Sequence, residues 1–316
     1  MRFRIASLDV RLSRNTAGRR TQKDTADELD ANRAADAANI VRDLDFLPPT
    51  GRIDLLARVS ITPDDFVGNS REARANLGAH GITVVPDFID PQKAKAVASW
   101  VLNSVTQIRQ GEQSSPSLSG LHLETSGSKN YGQLASAPHA TAVFRTGVDD
   151  GMVDVFNFDL WNHEYGAWLR EALSSSAVED LIRKRSDGAA SLSPANLNVY
   201  VNQGVSKTRG FHVDTYGGRQ VKAFLYLTDV VDLEDGPYTY VLGSHKKSTY
   251  QDANQALAQC NAVFKSTDTP LVDRDMAMPV LAPAGSLVVS DQSGSHRGYP
   301  QASGRQRVVA VLNYVG

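Results

Sequence analysis

The chain has 316 residues, of which 41% are hydrophobic and 22% charged, values ordinary for a globular protein that buries a sizeable core. Its formal net charge of -2 gives no electrostatic reason to expect nucleic acid or an anionic membrane as a partner. The single cysteine, Cys260, excludes an intramolecular disulfide and a metal site built from several thiolates. Because no apolar run reaches the length of a membrane span and no secretory signal is present, we predict a soluble, cytoplasmic protein.

Residues 1–70 are predicted to form a partly helical N-terminal extension that packs on the main domain. The first twenty residues are rich in arginine, a composition shared by basic arms and organelle transit peptides. Residues 25–44 carry apolar side chains at helical spacing, and prolines and a glycine follow at 48–51. The extension has no motif for chemistry, so we assign function to residues 71–316.

The main domain begins with a predicted strand and a long helix. Residues 81–86 form a short apolar run, and Asp90-Pro91 supplies an N-cap and a proline at the first helical position. Apolar side chains then recur on one stripe until Gly111, at Ala94, Val97, Ala98, Val101, Leu102, Val105 and Ile108. This spacing predicts a helix that packs one face on the core.

Residues 112–150 are rich in serine, glycine and threonine, and we predict a long loop there. His139 and Arg145 lie in it as candidate substrate contacts; the alternative is that these side chains are only solvated. From Asp159 to Arg185, two short helices are predicted, anchored in the core by Trp161, Trp168 and Leu169.

After Pro194 the apolar residues recur with a period of two, which is typical of strands with one buried face. Predicted strands or extended segments cover 197–202, 211–214, 221–228, 238–242, 285–290 and 307–314, with a helical segment near 252–263. Glycine and proline turns separate them. The pattern favours a mainly β fold with flanking helices, arranged as an antiparallel sandwich or jelly roll.

His212 and Asp214 are two residues apart on a predicted extended segment, so both side chains lie on the same face. A distant histidine such as His296 would complete a set of two histidines and one carboxylate, which holds Fe(II) on one side and leaves positions open. Arg305 and Arg307 follow, and a guanidinium binds both oxygens of a carboxylate. A structural ion pair is the alternative for the first two residues.

Several motifs occur together in register: His212-Val213-Asp214, Gly236-Pro237, Gly243-Ser244-His245-Lys246, His296 and Arg307. In this order and spacing, the chain resembles the phytanoyl-CoA dioxygenase family of Fe(II)- and 2-oxoglutarate-dependent oxygenases. The resemblance implies a double-stranded β-helix, a cupin-like jelly roll. It also implies Fe(II) bound by His212, Asp214 and His296, with O2 as oxidant and 2-oxoglutarate as cosubstrate.

The resemblance further assigns the 5-carboxylate of 2-oxoglutarate to Arg307, with Arg305 as the alternative. Asn198 and Tyr200, on the polar face of their strand, are candidate cosubstrate contacts, and an ordinary hydrogen-bonded face is the alternative. Lys222 interrupts an apolar strand, which suggests either a contact to an anionic substrate or an edge position that reaches water.

We therefore expect hydroxylation of an unactivated carbon in a small polar metabolite or natural-product intermediate, with release of succinate and CO2. Related halogenases have a small residue at the position of Asp214, so the carboxylate favours oxygen insertion over halogenation. Desaturation, cyclisation or epimerisation on the same residues is one alternative. A cupin-like metal-binding protein without turnover is another, and neither nucleic acid nor membrane is an expected partner.

Overall fold

The computed structural model describes residues 52–68, 70–112, 115–183, 192–216, 220–260 and 264–316. The helices are α1 Pro63–Gly68, α2 Arg71–His80, α3 Pro91–Arg109, α4 Tyr131–Ala135, α5 His163–Leu173, α6 Ser176–Arg183 and α7 Thr249–Cys260. The strands are β1 Ile82–Val85, β2 Leu121–Thr125, β3 Ala140–Phe144, β4 Met152–Phe156, β5 Ser193–Gln203, β6 Gln220–Tyr226, β7 Tyr238–Val241, β8 Ala277–Pro279, β9 Leu287–Asp291, β10 His296–Gly298 and β11 Gln306–Val315. The helix predicted over residues 25–44 lies outside the described residues.

The strands form two sheets. The larger has eight strands in the order β1-β9-β6-β11-β5-β4-β3-β2, and the smaller has three in the order β10-β7-β8. All pairings between the described strands are antiparallel except β2 with β3. Two facing sheets with flanking helices confirm the predicted jelly roll.

Each face of the large sheet has its own core. On β11, Val308, Ala310 and Leu312 belong to the cluster that includes residues of α3, α5 and α6. The alternate residues Val309 and Val311 belong to the cluster that includes the small sheet. We call the face of the large sheet that packs on the helices the outer face, and the face that packs on the small sheet the inner face. Because side chains alternate along a strand, the parity of a residue decides whether it faces helices or the space between the sheets.

The long helix is confirmed as α3. Its N-cap is Asp90, whose Oδ1 accepts a hydrogen bond from the Gln92 N–H at 2.9 Å, and Pro91 occupies the first helical position. The apolar stripe is buried on the outer face. The two short helices expected between 159 and 185 are α5 and α6, and Leu169 of α5 is fully buried.

The predicted loop over 112–150 is wrong, because β2, α4 and β3 lie within it. Both strands have five residues, and β2 is an edge strand with exposed side chains, so its sequence carries little apolar periodicity. Such strands are stabilised by pairing with neighbouring strands in the folded sheet, and the local sequence pattern does not reveal this pairing. Strand β4 was likewise absent from the predicted elements.

Residues 211–214 are also not a regular strand. His212 makes isolated bridges to Asp268 and His296, and the segment is held from both sides by backbone hydrogen bonds. The N–H groups of Val213 and Asp214 donate to Thr267 O at 2.9 Å and Gln292 O at 3.0 Å. The segment is therefore fixed by two different neighbours.

Candidate metal centre

The side chains of His212 and Asp214 meet that of His296, which is distant in sequence, at the inner face. Asp214 Oδ1 lies 3.8 Å from Nε2 of His212 and 3.8 Å from Nε2 of His296. One nitrogen or oxygen from each of the three lies within 4.8 Å of the other two. Two ligands at about 2.1 Å on opposite sides of an ion are at most about 4.2 Å apart, so each Asp–His separation fits one shared metal ion.

Backbone hydrogen bonds set the spacing of the two histidines. The His212 N–H donates to His296 O at 3.0 Å, and the His296 N–H donates to His212 O at 2.9 Å. The two residues thus form a directly opposed antiparallel pair, and their ring centroids lie 4.6 Å apart. The ligand separation is therefore a property of the backbone.

Each histidine ring is oriented by a carbonyl two residues earlier. Nδ1 of His212 lies 2.9 Å from Gly210 O, and Nδ1 of His296 lies 2.9 Å from Gly294 O. A carbonyl only accepts hydrogen bonds, so both Nδ1 atoms carry the proton and both Nε2 atoms present a lone pair to the centre. The repeated Gly-x-His spacing was a sequence signal that our prediction did not use.

The charge states also suit a metal ion. Burial lowers the pKa of His212 and of His296. Burial alone would raise the pKa of Asp214, but Lys222 and the two histidines outweigh it and hold that pKa well below its usual range. At neutral pH the site therefore has two neutral imidazoles and one carboxylate, the protonation state in which these groups bind metals.

Gly294 is required by close packing behind the site. A Cβ atom on Gly294 would collide with the Tyr240 hydroxyl, which is fully buried and donates to Asp291 O at 2.9 Å. We expect Gly294→Ala to lower the free energy of unfolding by about 1–3 kcal/mol through overpacking. Chemical denaturation measures this. Gly132→Ala in α4, where the nearest atom is 3.5 Å from the added Cβ, should cost nothing comparable; equal effects would contradict the packing argument.

Lys222 lies beside the carboxylate. It is on the inner face of β6 by its parity with Phe224 and Tyr226, and its Nζ is 2.6 Å from Asp214 Oδ2. Burial opposes the charge on Lys222, but Asp214 outweighs burial and raises the pKa of Lys222 to about 12. The sequence offered Lys222 as a contact to substrate, whereas here its ammonium is engaged by a candidate metal ligand.

The two candidate arginines have different surroundings. Arg307, on the inner face of β11, is 8% exposed, and its Nη1 donates to Gly236 O. Its Nε is buried without a hydrogen-bond partner, and no carboxylate of the described residues pairs with it. Burial lowers its pKa. Arg305, with 40% of its side chain exposed, pairs with Asp232, Glu234 and Asp235.

Asn198 and Tyr200 lie on the inner face of β5, next to β11. Their strand partners are Val311 and Val309, and Asn202 pairs with Arg307. Asn198 Nδ2 donates to Tyr200 Oη at 3.4 Å and to Tyr131 Oη at 3.3 Å. Tyr131 belongs to α4 in the segment predicted as a loop, so sequence analysis missed it.

The other two candidate substrate contacts, His139 and Arg145, lie at the two ends of β3. Arg145 donates through Nε to Asp154 Oδ2 at 2.7 Å, and Asp154 is 1% exposed. His139 stacks on His122 of the edge strand β2, with ring centroids 3.8 Å apart. Strand β3 is four positions from β6 in the sheet, roughly 19 Å at the usual strand spacing.

The phytanoyl-CoA dioxygenase (PhyH) family model matches residues 77–309. The chain belongs to the phytanoyl-CoA dioxygenase family. Members of this family are Fe(II)- and 2-oxoglutarate-dependent oxygenases that act on small molecules, and the predicted family is thereby confirmed. The match begins at residue 77, while the separate N-terminal extension over residues 1–70 stays a prediction. No described helix of this family member could cross a membrane.

Three solved structures are similar to this chain, and the first of them supports the family's fold. The alpha-ketoglutarate-dependent carbocyclase SnoK from nogalamycin biosynthesis is 17% identical over 79% of this chain and 85% of its own, with a TM-score of 0.51. HygX from Streptomyces hygroscopicus, solved with nickel, 2-oxoglutarate and hygromycin B, is 14% identical over 78% and 86%, with a TM-score of 0.46. The epimerase SnoN from nogalamycin biosynthesis is 14% identical over 83% of both chains, with a TM-score of 0.43. Among curated proteins, none matches significantly in sequence.

Proposed function

We propose that this phytanoyl-CoA dioxygenase family member hydroxylates a carbon of a small polar molecule, using Fe(II), 2-oxoglutarate and O2. In this proposal His212, Asp214 and His296 hold the metal. The observation that carries it is the meeting of two imidazole nitrogens and one carboxylate oxygen at the inner face. Such a donor set binds Fe(II) on one side and leaves the other positions open.

Arg307 is the proposed partner of the 5-carboxylate of 2-oxoglutarate. Lys222 and Arg145 each have a carboxylate partner, Asp214 and Asp154 respectively. Arg307 has none among the described residues, and its Nε is buried and unpartnered. A buried charge without a counter-ion is costly, so the carboxylate of a bound cosubstrate would supply the counter-ion for Arg307. Asn198 and Tyr200, on the adjacent strand, stay proposed cosubstrate contacts.

Bound iron and 2-oxoglutarate would supply the oxidising power, with O2 consumed, succinate and CO2 released and one oxygen atom transferred to substrate. The protein's own residues orient these groups. The Gly210 and Gly294 carbonyls keep both Nε2 atoms aimed at the centre, and Arg307 fixes the far end of the cosubstrate. The apolar inner core around Tyr238 and Val309 restricts water near the site.

A cavity of about 520 Å³ has room for a small substrate. Its lining is mostly apolar, with polar side chains contributed by Tyr131, Asn157, Asn196, Gln220 and Asn313 and charged ones by Asp159 and Arg170. Gln220 Nε2 donates to Asn313 Oδ1 at 3.2 Å, and Asn313 is the strand partner of Lys222. The cavity thus adjoins the residue next to Asp214. Its volume suits a small molecule, and amides and phenols bind hydroxyl or carbonyl groups.

Anaerobic addition of Fe(II) and 2-oxoglutarate tests the proposal. We expect a visible charge-transfer absorption band, and its absence from folded protein would contradict the cosubstrate assignment. Polar metabolites are then screened for stimulated succinate release, and the product mass is measured. A gain of one oxygen supports hydroxylation. A loss of two hydrogens would favour desaturation or cyclisation, an unchanged mass epimerisation, and no turnover with any compound the metal-binding alternative.

A further inference from the structure

We propose that Lys222 is a positioning residue that makes Asp214 bind the metal through one oxygen only. The inference rests on the proposed function, since it concerns how the same carboxylate would hold iron. It replaces the sequence-based idea that Lys222 contacts substrate. Its consequence is the number of coordination positions left for cosubstrate and oxygen.

The two carboxylate oxygens of Asp214 have different partners. Oδ1 lies 3.8 Å from Nε2 of both histidines, His212 and His296. Oδ2 lies 2.6 Å from Lys222 Nζ. The carboxylate is therefore oriented with one oxygen toward the candidate metal position and the other toward an ammonium group.

The position of Lys222 is fixed by its strand. Lys222 pairs with Ser290 on β9 and with Asn313 on β11, so β6 is held from both sides at this residue. Its side chain is 11% exposed and that of Asp214 is 23% exposed. In such a protected place a charge-assisted hydrogen bond is short and strong, and water competes little for either group.

This orientation matters for coordination. A carboxylate that chelates through both oxygens occupies two positions on a metal ion, whereas one that binds through a single oxygen occupies one. Two histidines and a one-oxygen Asp214 leave three positions of an octahedral ion. In the proposed function, a chelating cosubstrate would take two of these and one would stay open for O2. An ammonium on Oδ2 withholds that oxygen from the metal.

Ordinary structural pairing would predict something different. A lysine that only balances buried charge would affect unfolding when removed, and it would leave the coordination geometry of the bound metal unchanged. A positioning lysine would change the geometry and the binding of 2-oxoglutarate while the metal itself stays bound. Coordination geometry is therefore the readout that separates the two roles.

The test uses Co(II) as a spectroscopic probe in the full chain without O2. The variant Lys222→Met removes the ammonium and keeps the length of the side chain. We expect its Co(II) dissociation constant to stay within about threefold of the wild type, because three ligands remain. We expect its visible Co(II) spectrum without cosubstrate to change, and its dissociation constant for 2-oxoglutarate to rise about tenfold or more.

Lys95→Met is the matched control, since Lys95 Nζ lies 2.7 Å from Asp229 Oδ2 in an exposed pair. Its spectrum and both dissociation constants should equal those of the wild type. A Lys222→Met protein with a wild-type Co(II) spectrum would overturn the inference. Loss of Co(II) binding from a folded variant would also overturn it, because Lys222 would then be needed for metal binding as such and not for the way in which Asp214 binds. Failure of wild-type protein to bind 2-oxoglutarate would instead contradict the proposed function.

A second measurement needs no variant, in case Lys222→Met does not fold. A crystal structure of the wild-type protein with Co(II) should show one oxygen of Asp214 on the metal and the other within about 3.2 Å of Lys222 Nζ. Both oxygens on the metal, or a Lys222 side chain turned away from Asp214, would overturn the inference.

Discussion

Replacing His296 by alanine is expected to abolish the Fe(II) and 2-oxoglutarate charge-transfer band and the formation of succinate. The variant would leave one histidine and one carboxylate. Loss of a residue that merely orients a metal ligand typically costs about 10- to 100-fold in metal affinity, so loss of the ligand itself should cost more than about 100-fold. Titration with Co(II) and anaerobic absorption spectra measure both effects.

His163→Ala is the matched control, because His163 is an exposed histidine at the start of α5 on the outer side of the large sheet. This variant should bind Co(II) as the wild type does. Circular dichroism and unfolding curves confirm that each variant is folded. Retention of wild-type Co(II) affinity by folded His296→Ala would remove His296 from the proposed ligand set.

Replacing Arg307 by methionine is expected to weaken 2-oxoglutarate binding by about 30- to 1000-fold, which corresponds to about 2–4 kcal/mol for the loss of a buried charge pair. Metal affinity should change little, since the side-chain hydrogen bond of Arg307 is made to Gly236 O and not to a candidate ligand. The dissociation constant of 2-oxoglutarate follows from the intensity of the charge-transfer band at rising concentrations.

Arg305→Met decides between the two arginines. Arg305 pairs with the partly exposed Asp232, the exposed Glu234 and the buried Asp235. Because 40% of the Arg305 side chain is itself exposed, such pairs contribute about 0–1 kcal/mol each. Its loss should leave the affinity for 2-oxoglutarate within about threefold of the wild type. If Arg305→Met weakens binding and Arg307→Met does not, the assignment of the cosubstrate carboxylate must be reversed.

The regular parts of the fold were predictable because their side chains repeat. The stripe of α3 and the alternation of β5 and β11 each extend over ten or more residues, and one buried face accounts for each pattern. By contrast, β2, β3 and β4 have five residues each. They lie toward one edge of the sheet, and each is too short to show an apolar repeat in its own sequence.

Only those parts of the candidate site that show in residue spacing or family resemblance were predictable. The proposed ligands and Arg307 were found from the order and spacing of the motifs. The pairing of Lys222 with Asp214 could not be predicted, because it requires knowledge that β6 runs beside the segment holding Asp214. Likewise, the sequence does not show that Arg305 pairs with acids and Arg307 does not. The acids that bind Arg305 lie at 232–235, in a turn distant in sequence.

The mutual hydrogen bonds of His212 and His296 join a connecting segment to the small sheet. An ion bound to both rings would connect the same two segments a second time, through the side chains as well as through the backbone hydrogen bonds. Binding energy for the ion would then also be folding energy for this corner of the jelly roll. Removing the ion with a chelator would therefore also destabilise the contact between the two segments that align the ligands.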